Sequence, residues 1–419
     1  MLMIFAYRFF INLIFVLSPI ILILRFLKKK EHIVRFKEKF CFFTKKRVRG
    51  KLLWFHGASV GELQSIIPLI EKIEKNKNIK NILITTNTLS SAKVIDKLNL
   101  KKTIHQFFPI DTSYHSNKFL NYWQPSAAFF IDSEIWPNTL INLNKRRIPI
   151  TLLNGRITKK TFNRWCYFPN FSNLIFKKFN YCLSSNKISS FYLKKLGVKK
   201  VKYLGNLKFS QSENEKLIKF NYLSKLIKNK KVWCASSTHH NEELLCGLAH
   251  LELKKKFKNI FTIIIPRHVE RTHLIKEELE KLNLNVYTHE SDLKPNKNIE
   301  VYIVDSYGKT KSIYNYCKII FLGGSLVKHG GQNPLEATRY GCKILHGPHV
   351  ENFNEIYNYL RNLKISTKVK NHSQLLIKLN KLLTQKSNSK KIQNKLNKIG
   401  DKILNDTYNE IYQFIKNEN

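Results

Sequence analysis

Short apolar runs recur along this chain, separated by helical periodicity, and they do so in two series. In the first series the runs fall at residues 52–55, 82–86, 104–108, 127–131 and 148–153, too short for helices and rich in Ile, Leu and Phe. Between them, residues 63–73, 92–98, 117–123 and 137–144 carry the spacing of helices. Parallel strands cannot be joined by a tight turn; they need a crossover, usually a helix, and that crossover is right-handed. The alternation therefore predicts a parallel sheet covered by helices on both faces. A polar stretch from 205 to 231, rich in Lys, Asn, Ser and Glu, interrupts the pattern. It then restarts, with strands expected at 232–235, 261–265, 301–304, 319–322 and 343–345 and helices at 242–257, 269–282, 313–317, 334–340 and 353–363.

Two such halves imply an α/β protein of two Rossmann-like domains facing a cleft, residues 51–208 and 231–385. A linker at 209–230 joins them, and a charged helical segment at 386–419 follows. Open parallel sheets bind ligands outside the carboxyl ends of their strands, so this arrangement suits a donor in one half and an acceptor in the other. No Gly-x-Gly-x-x-Gly follows a strand and there is no Walker A loop, which removes support from a dinucleotide oxidoreductase or an NTPase. The 419 residues are ample for two domains, and a 43% hydrophobic content gives each a core. Seven cysteines, scattered and never in a Cys-x-x-Cys pair, argue against a disulfide framework or a thiolate zinc site and fit a reducing compartment.

Residues 9–24, FFINLIFVLSPIILIL, are uncharged and mostly apolar. A spanning helix wants about 20 such residues. Extension across Arg8 to Ile4 and on to Leu27 supplies the length, with Arg8 snorkelling to the polar side. No small-residue cleavage site follows, so a retained membrane anchor over residues 1–27 is expected rather than a removed signal. Dense Lys and Arg in the juxtamembrane segment 28–50 place the body of the chain on the cytoplasmic side and attract anionic lipid headgroups. Asn12, Ser18 and Pro19 leave crossing the bilayer and lying in its interface both open. The whole chain carries 73 Lys+Arg against 29 Asp+Glu, a formal net charge of +44, with no basic tail or finger. A+T-rich codon usage and anionic partners both account for such a surplus.

The chemistry-bearing residues gather where strands end. His56-Gly57-Ala58-Ser59-Val60-Gly61-Glu62 follows the first strand; Glu62 reads either as the capping-box partner of Ser59 or as a general base at the strand's carboxyl end. Asp132-Ser133-Glu134-Ile135-Trp136-Pro137 places two acids before a helix, to complement its dipole or to support the chemistry, a divalent-metal site being a further alternative. In the second half, Pro266-Arg267-His268 ends a strand with a guanidinium fork that suits a phosphate or else lies at the surface. Tyr307-Gly308-Lys309 follows the next strand with amides free to meet a ligand. Gly323-Gly324-Ser325 and Gly330-Gly331-Gln332-Asn333-Pro334-Leu335-Glu336 allow close backbone approach to a phosphate near a helix start, with Glu336 placed to accept from ribose hydroxyls. His346 and His349 lack a third ligand at zinc spacing, and His239-His240 reads as the start of a helix.

Taken in series, the phrases HGASVGE, DSEIWPN, LLNGRIT, GNLKF, PRHVER and FLGGSL…GGQNPLEA…GPH resemble the bacterial 3-deoxy-D-manno-octulosonic acid (Kdo) transferases of glycosyltransferase family 30, over about residues 51–355. The resemblance implies a GT-B fold and transfer of Kdo from CMP-Kdo to a lipid A precursor (lipid IVA), with inversion and release of CMP. It places that reaction in lipopolysaccharide biosynthesis at the bacterial inner membrane and calls for neither cofactor nor metal. On this resemblance Glu62 is the proton acceptor and Lys208 stabilises the transition state. Pro266, Arg267, Tyr307, Gly308, Lys309, Asn333, Pro334, Leu335 and Glu336 fall on the CMP-binding segments, to which the strand-end reading adds His268, Gly324 and Ser325. The DSEIWP run stands where the family has an ETELWP-like run. Its first acid, Asp132, is one carbon shorter than usual, and either Asp132 or Glu134 carries the supporting role. The expected partners are CMP-Kdo, a lipid A precursor and an anionic membrane surface, with no nucleic acid. A UDP-sugar donor is the alternative within the same fold, and a membrane-tethered nucleic-acid-binding protein a more distant one carried only by net charge.

Overall fold

The computed structural model describes residues 2–98, 100–211, 217–290 and 298–417. The chain divides into two compact units, residues 1–212 with 399–419, and residues 213–398. Each unit is built on a seven-stranded parallel sheet. The first contains β1 (Leu52–His56), β2 (Asn81–Thr86), β3 (Thr103–Phe107), β4 (Ala127–Ile131), β5 (Ile150–Gly155), β6 (Tyr181–Ser184) and β7 (Val201–Tyr203), in the order β3-β2-β1-β4-β5-β6-β7. The second contains β8 (Lys231–Thr238), β9 (Ile260–Pro266), β10 (Val286–Thr288), β11 (Val301–Ile303), β12 (Ile319–Leu322), β13 (Lys343–His346) and β14 (Ser366–Lys368), in the order β10-β11-β9-β8-β12-β13-β14. Ten of these strands fall on the apolar runs of the sequence; β6, β7, β10 and β14, each of three or four residues, fall outside them.

Strands β1, β2, β4 and β5 are buried along their whole length, as strands covered on both faces must be. Successive residues feed opposite faces. In the second unit Trp233, Ala235 and Phe321 enter one apolar cluster, while Cys234, Ile320 and Leu322 enter the other. In the first unit Trp54, Phe119, Trp123 and Phe130 fill one face. The first strand of each unit is central: β1 pairs with β2 and β4, and β8 pairs with β9 and β12. Strand order reverses there, so the loops leaving the carboxyl ends of these neighbours diverge and open a crevice within each unit.

The final helix, Ser389–Asn417, ends on the first unit, where Tyr181 donates to Glu410 and Asn76 Nδ2 donates to the Tyr408 hydroxyl at 3.1 Å. Gly400 permits this seat: a Cβ there would lie 2.5 Å from the Phe209 carbonyl oxygen. The stretch 209–230 contains a short helix, Asn221–Leu226, and the division between units falls at 212/213.

At the amino end, α1 (Leu2–Leu27) is, among the described residues, the one helix long and apolar enough to cross a membrane. It is also docked lengthwise on the first unit. Ile4, Ile11 and Ser18, seven residues apart, are buried. Tyr7 donates to Asp111, the Phe15 ring lies 4.9 Å from that of His115, and Phe26 meets Phe36 edge-on at 5.2 Å. Arg8 corrects the snorkelling expectation: its Nε donates to Asn138 Oδ1 at 3.1 Å. Phe9, Phe10, Leu13, Val16, Ile20 and Leu24 form the exposed face.

Candidate active site

The chain leaves β1 through Gly57 and turns into α2 (Val60–Glu74). Ser59 Oγ accepts from the Glu62 amide at 3.3 Å, and Glu62 Oε2 accepts from the amides of Ser59 at 3.2 Å and Ala58 at 2.7 Å. The capping box is therefore formed, and Glu62 is both cap and candidate base. Both amide bonds fall on Oε2, and among the described residues Oε1 takes no backbone donor. Burial pushes the Glu62 carboxyl up from its ordinary 4.5, and the charge of Glu134 raises it further. The Ser59 amide pulls it back and Asp132 adds a smaller rise, leaving it at about 7. A general base works best when its pKa lies near the operating pH.

Glu134 lies just past β4, where its Oε2 accepts from His56 Nε2 at 3.1 Å and from the Trp136 indole at 2.8 Å. Burial alone would raise its carboxyl; the His56 hydrogen bond and charge, together with the indole, outweigh burial and hold it below the usual range. His56, wholly buried at the end of β1, is oriented from its other nitrogen by Thr85 Oγ1 at 2.9 Å. Trp54 Nε1 donates to that same hydroxyl at 2.9 Å.

Asp132 occupies the left-handed region, φ +60°, between β4 and β5: its amide donates to Leu153 O at 2.9 Å, and its carbonyl accepts from Arg156 N at 3.0 Å. Lys208 Nζ stands 3.9 Å from its carboxylate. Burial pushes the Asp132 carboxyl up against the pull of Lys208 and Arg156. Lys208 sits in a 3₁₀ turn, Leu207–Ser210, fixed by Asn206 Oδ1 on the Lys208 amide at 2.9 Å and Asn154 Oδ1 on the Leu207 amide at 2.9 Å. The structure thus brings Glu62, Asp132, Glu134 and Lys208 together. It also separates the two acids, with Glu134 held by His56 and Trp136 and Asp132 beside Lys208.

In the second unit Pro266 closes β9, and the Arg267 amide donates to Thr238 O at 3.0 Å, so Arg267 and His268 leave the sheet beside the end of β8. His239 stacks on His329 at 4.1 Å and meets His268 edge-on at 5.9 Å. Burial, then the charges of His329, His268, Arg267 and Arg271, push His239 down to about 4. Tyr307 is exposed and donates to Glu270 at 3.1 Å; Gly308 has φ +81°; Lys309 Nζ lies 2.7 Å from Glu290. Asn333 caps the short helix Pro334–Arg339 by accepting from the Leu335 amide at 3.1 Å, with Glu336 half-buried in its first turn.

The amides of Gly324 and Ser325 are both engaged within the protein. Their amides donate to the buried carboxylate of Glu242, at 2.7 Å to Oε2 and 3.2 Å to Oε1, and the Ser325 hydroxyl turns to Leu322 O. These bonds tie the loop after β12 to Glu242. Among the described residues no three His, Cys, Asp or Glu side chains gather as metal ligands, and His346 Nδ1 faces its neighbour's carbonyl, Gly347 O, at 2.7 Å. Sequence reasoning missed His56 as a member of the site, although it heads the HGASVGE phrase at a strand end. Glu242 and His329 carried no such signal.

Two units, each on a parallel sheet whose first strand is central, are the GT-B architecture. A putative UDP-N-acetylglucosamine 2-epimerase from Listeria monocytogenes superposes with a TM-score of 0.58 at 12% identity, covering 88% of this chain and 96% of that one. A glycosyltransferase from Rickettsia africae gives 0.56 at 14% identity, covering 88% and 99%. These likenesses establish the fold. Residues 34–211 match the family described as 3-deoxy-D-manno-octulosonic-acid transferase (kdotransferase). The 3-deoxy-D-manno-octulosonic acid transferase of Rickettsia bellii is 33% identical over 92% of this chain and 93% of its own length. That of Haemophilus influenzae is 28% identical over 94% of each. The chain belongs to the 3-deoxy-D-manno-octulosonic acid transferase family and is a glycosyltransferase, as the motif series implies.

Proposed function

We propose that this enzyme transfers Kdo from CMP-Kdo to a hydroxyl of a lipid A precursor, with inversion and release of CMP, in lipopolysaccharide inner-core assembly on the cytoplasmic face of the inner membrane. The observation that carries the reading is Glu62: a carboxylate whose Oε1 takes no backbone donor among the described residues, raised to about 7, at the carboxyl end of a central strand. The acceptor O–H proton passes to Glu62 as the oxygen attacks the anomeric carbon. The bond from that carbon to the CMP phosphate breaks, its electron pair leaving on the phosphate oxygen. Glu134, held anionic by His56 and Trp136, keeps Glu62 basic enough to take the proton. Lys208, seated beside Asp132, is a fixed cation for charge developing in the transition state.

The second unit holds the donor. Arg267 and His268, Tyr307 to Lys309, and Asn333 to Glu336 surround the nucleotide, and the Arg267 guanidinium favours its phosphate. These cations supply the charge that a divalent metal would otherwise provide, so the reaction needs none. The lengthwise seat of α1, about 39 Å of helix at 1.5 Å per residue, supports an interfacial helix over a spanning one. Its outer face enters the lipid, and the basic segment that follows meets the headgroups.

Full-length protein mixed with fresh CMP-Kdo and a tetra-acylated lipid A precursor, with EDTA present, gives a product heavier by whole Kdo units in mass spectrometry. CMP competes and UDP does not. Absence of product from folded protein with CMP-Kdo intact, or competition by UDP instead, overturns the reading.

A further inference from the structure

We propose that α1 is a positioning element of the catalytic segment as well as a tether: the Tyr7 hydroxyl, acting through the Asp111 carboxylate, fixes the amino end of the helix Pro137–Lys145 and hence the run from Asp132 to Trp136 that precedes it. The consequence for turnover rests on the transfer reading above; the structural coupling does not.

Asp111 lies in the loop after β3 with no exposed surface. Its Oδ2 accepts from the Tyr7 hydroxyl at 2.7 Å and from the Asn138 amide at 3.0 Å. Its Oδ1 accepts from the amide of Thr139 at 2.8 Å and from the Thr139 hydroxyl at 2.5 Å. The Asp111 carbonyl takes the Asn138 Nδ2 proton at 2.7 Å, while Arg8 Nε donates to Asn138 Oδ1. Asn138 is therefore gripped at both ends of its side-chain amide, once by the core and once by α1.

The helix Pro137–Lys145 has unsatisfied amides at its start, as every helix does. Its own N-cap residue, Trp136, provides no side-chain acceptor, and Pro137 has no amide proton to satisfy. Asp111 therefore acts as the cap from a distant part of the chain, serving the two amides that need it. Residues 132–136 are strung between the end of β4 and this capped helix. Glu134 and Trp136, whose indole holds the Glu134 carboxylate, lie within that short span. Trp136 also packs at 5.2 Å on Phe108, three residues before Asp111. A loosened cap loosens the carboxylate that tunes Glu62.

Tyr7 contributes one of four donors to a buried carboxylate, and a hydrogen bond to a charged group is worth about 1.5–3 kcal/mol, or roughly tenfold to a hundredfold in a local opening equilibrium. The test compares full-length wild type, Tyr7→Phe and Leu13→Ser, the last on the exposed face of α1, on vesicles containing anionic phospholipid. Hydrogen exchange followed by peptide mass spectrometry reads the amides of Asn138 and Thr139. Tyr7→Phe speeds their exchange at least tenfold without weakening vesicle binding, and it lowers kcat about tenfold while KM for the acceptor stays within twofold. Leu13→Ser does the reverse, weakening vesicle binding and raising KM with kcat kept. Wild-type exchange at both amides in Tyr7→Phe, or faster exchange with unchanged kcat, overturns the proposal. If wild-type protein transfers no Kdo, the transfer reading fails while the exchange arm still decides whether α1 holds the segment.

Discussion

The two units open alike. In each, the first strand of the sheet is central and leads through a short loop into a helix carrying a glutamate in its first turn: Glu62 after β1 and Glu242 after β8. Each glutamate accepts an amide of its own loop, Ser59 in one case and His239 at 3.0 Å in the other. There the likeness ends. Glu242 takes three further amides, of Gly324, Ser325 and Leu326, from the loop after the neighbouring strand β12, and it has no exposed surface. Glu62 takes two amides, both on one oxygen, and faces two other carboxylates. A carboxylate crowded by donors is a staple; one with an oxygen free of backbone donors and with acidic neighbours is poised to receive a proton. Position on the sheet does not separate the two roles, but the count of donors does.

Exchanging each glutamate for glutamine breaks the pair apart. Glu62→Gln lowers kcat by about a thousandfold or more and leaves the protein folded, since base and proton are lost together. Glu242→Gln turns an amide NH₂ toward backbone donors in a sealed site and costs about 3–5 kcal/mol, read as a lower melting temperature and loss of expressed soluble protein. Unchanged melting for Glu242→Gln, or activity retained by Glu62→Gln, would erase the contrast.

Glu134→Gln sharpens it. Removal of that negative neighbour eases ionisation of Glu62, so the rising limb of the kcat/KM–pH profile moves to lower pH by about one unit, with peak activity reduced. A limb that stays near pH 7 would mean that Glu134 does not tune Glu62. The smallest effect is on stability. Glu62 binds its proton more tightly folded, at about 7, than unfolded, near 4.5. Its stabilising contribution is intact below about 4.5 and is lost as the pH rises through 7. Glu62→Gln therefore melts a few degrees above wild type at pH 8 and level with it at pH 4, as calorimetry would record.

The central strands were legible because burial on both faces leaves an unbroken apolar run, as at 52–55 and 127–131. Strands β7 and β14 were not, for three residues with one open side carry no pattern to detect. Glu62, Asp132, Glu134 and Lys208 stood out by residue type at strand ends or within the matched phrases. Their partners did not: His56 meets Thr85 across 29 residues, and Arg8 meets Asn138 across 130, distances at which only the folded chain supplies the pairing. The engagement of the Gly324 and Ser325 amides was illegible for the same reason. A glycine pair after a strand looks alike whether its amides await a phosphate or are satisfied by a carboxylate 82 residues upstream.

The seating of α1 has a practical corollary for anyone preparing this enzyme. A helix that forms a wall of its own folded unit cannot be cut away to gain solubility. Truncation before residue 28 would strip a donor from Asp111 and lay open the seats of Ile4 and Ile11, trading a lipid-seeking surface for a sticky one. Repainting the outward positions Phe9, Leu13 and Ile20 with charged side chains keeps the wall and removes the oil. The helix thus obeys two substitution grammars along one stretch of chain: any greasy side chain will serve outside, and only shapes that fit their sockets will serve within.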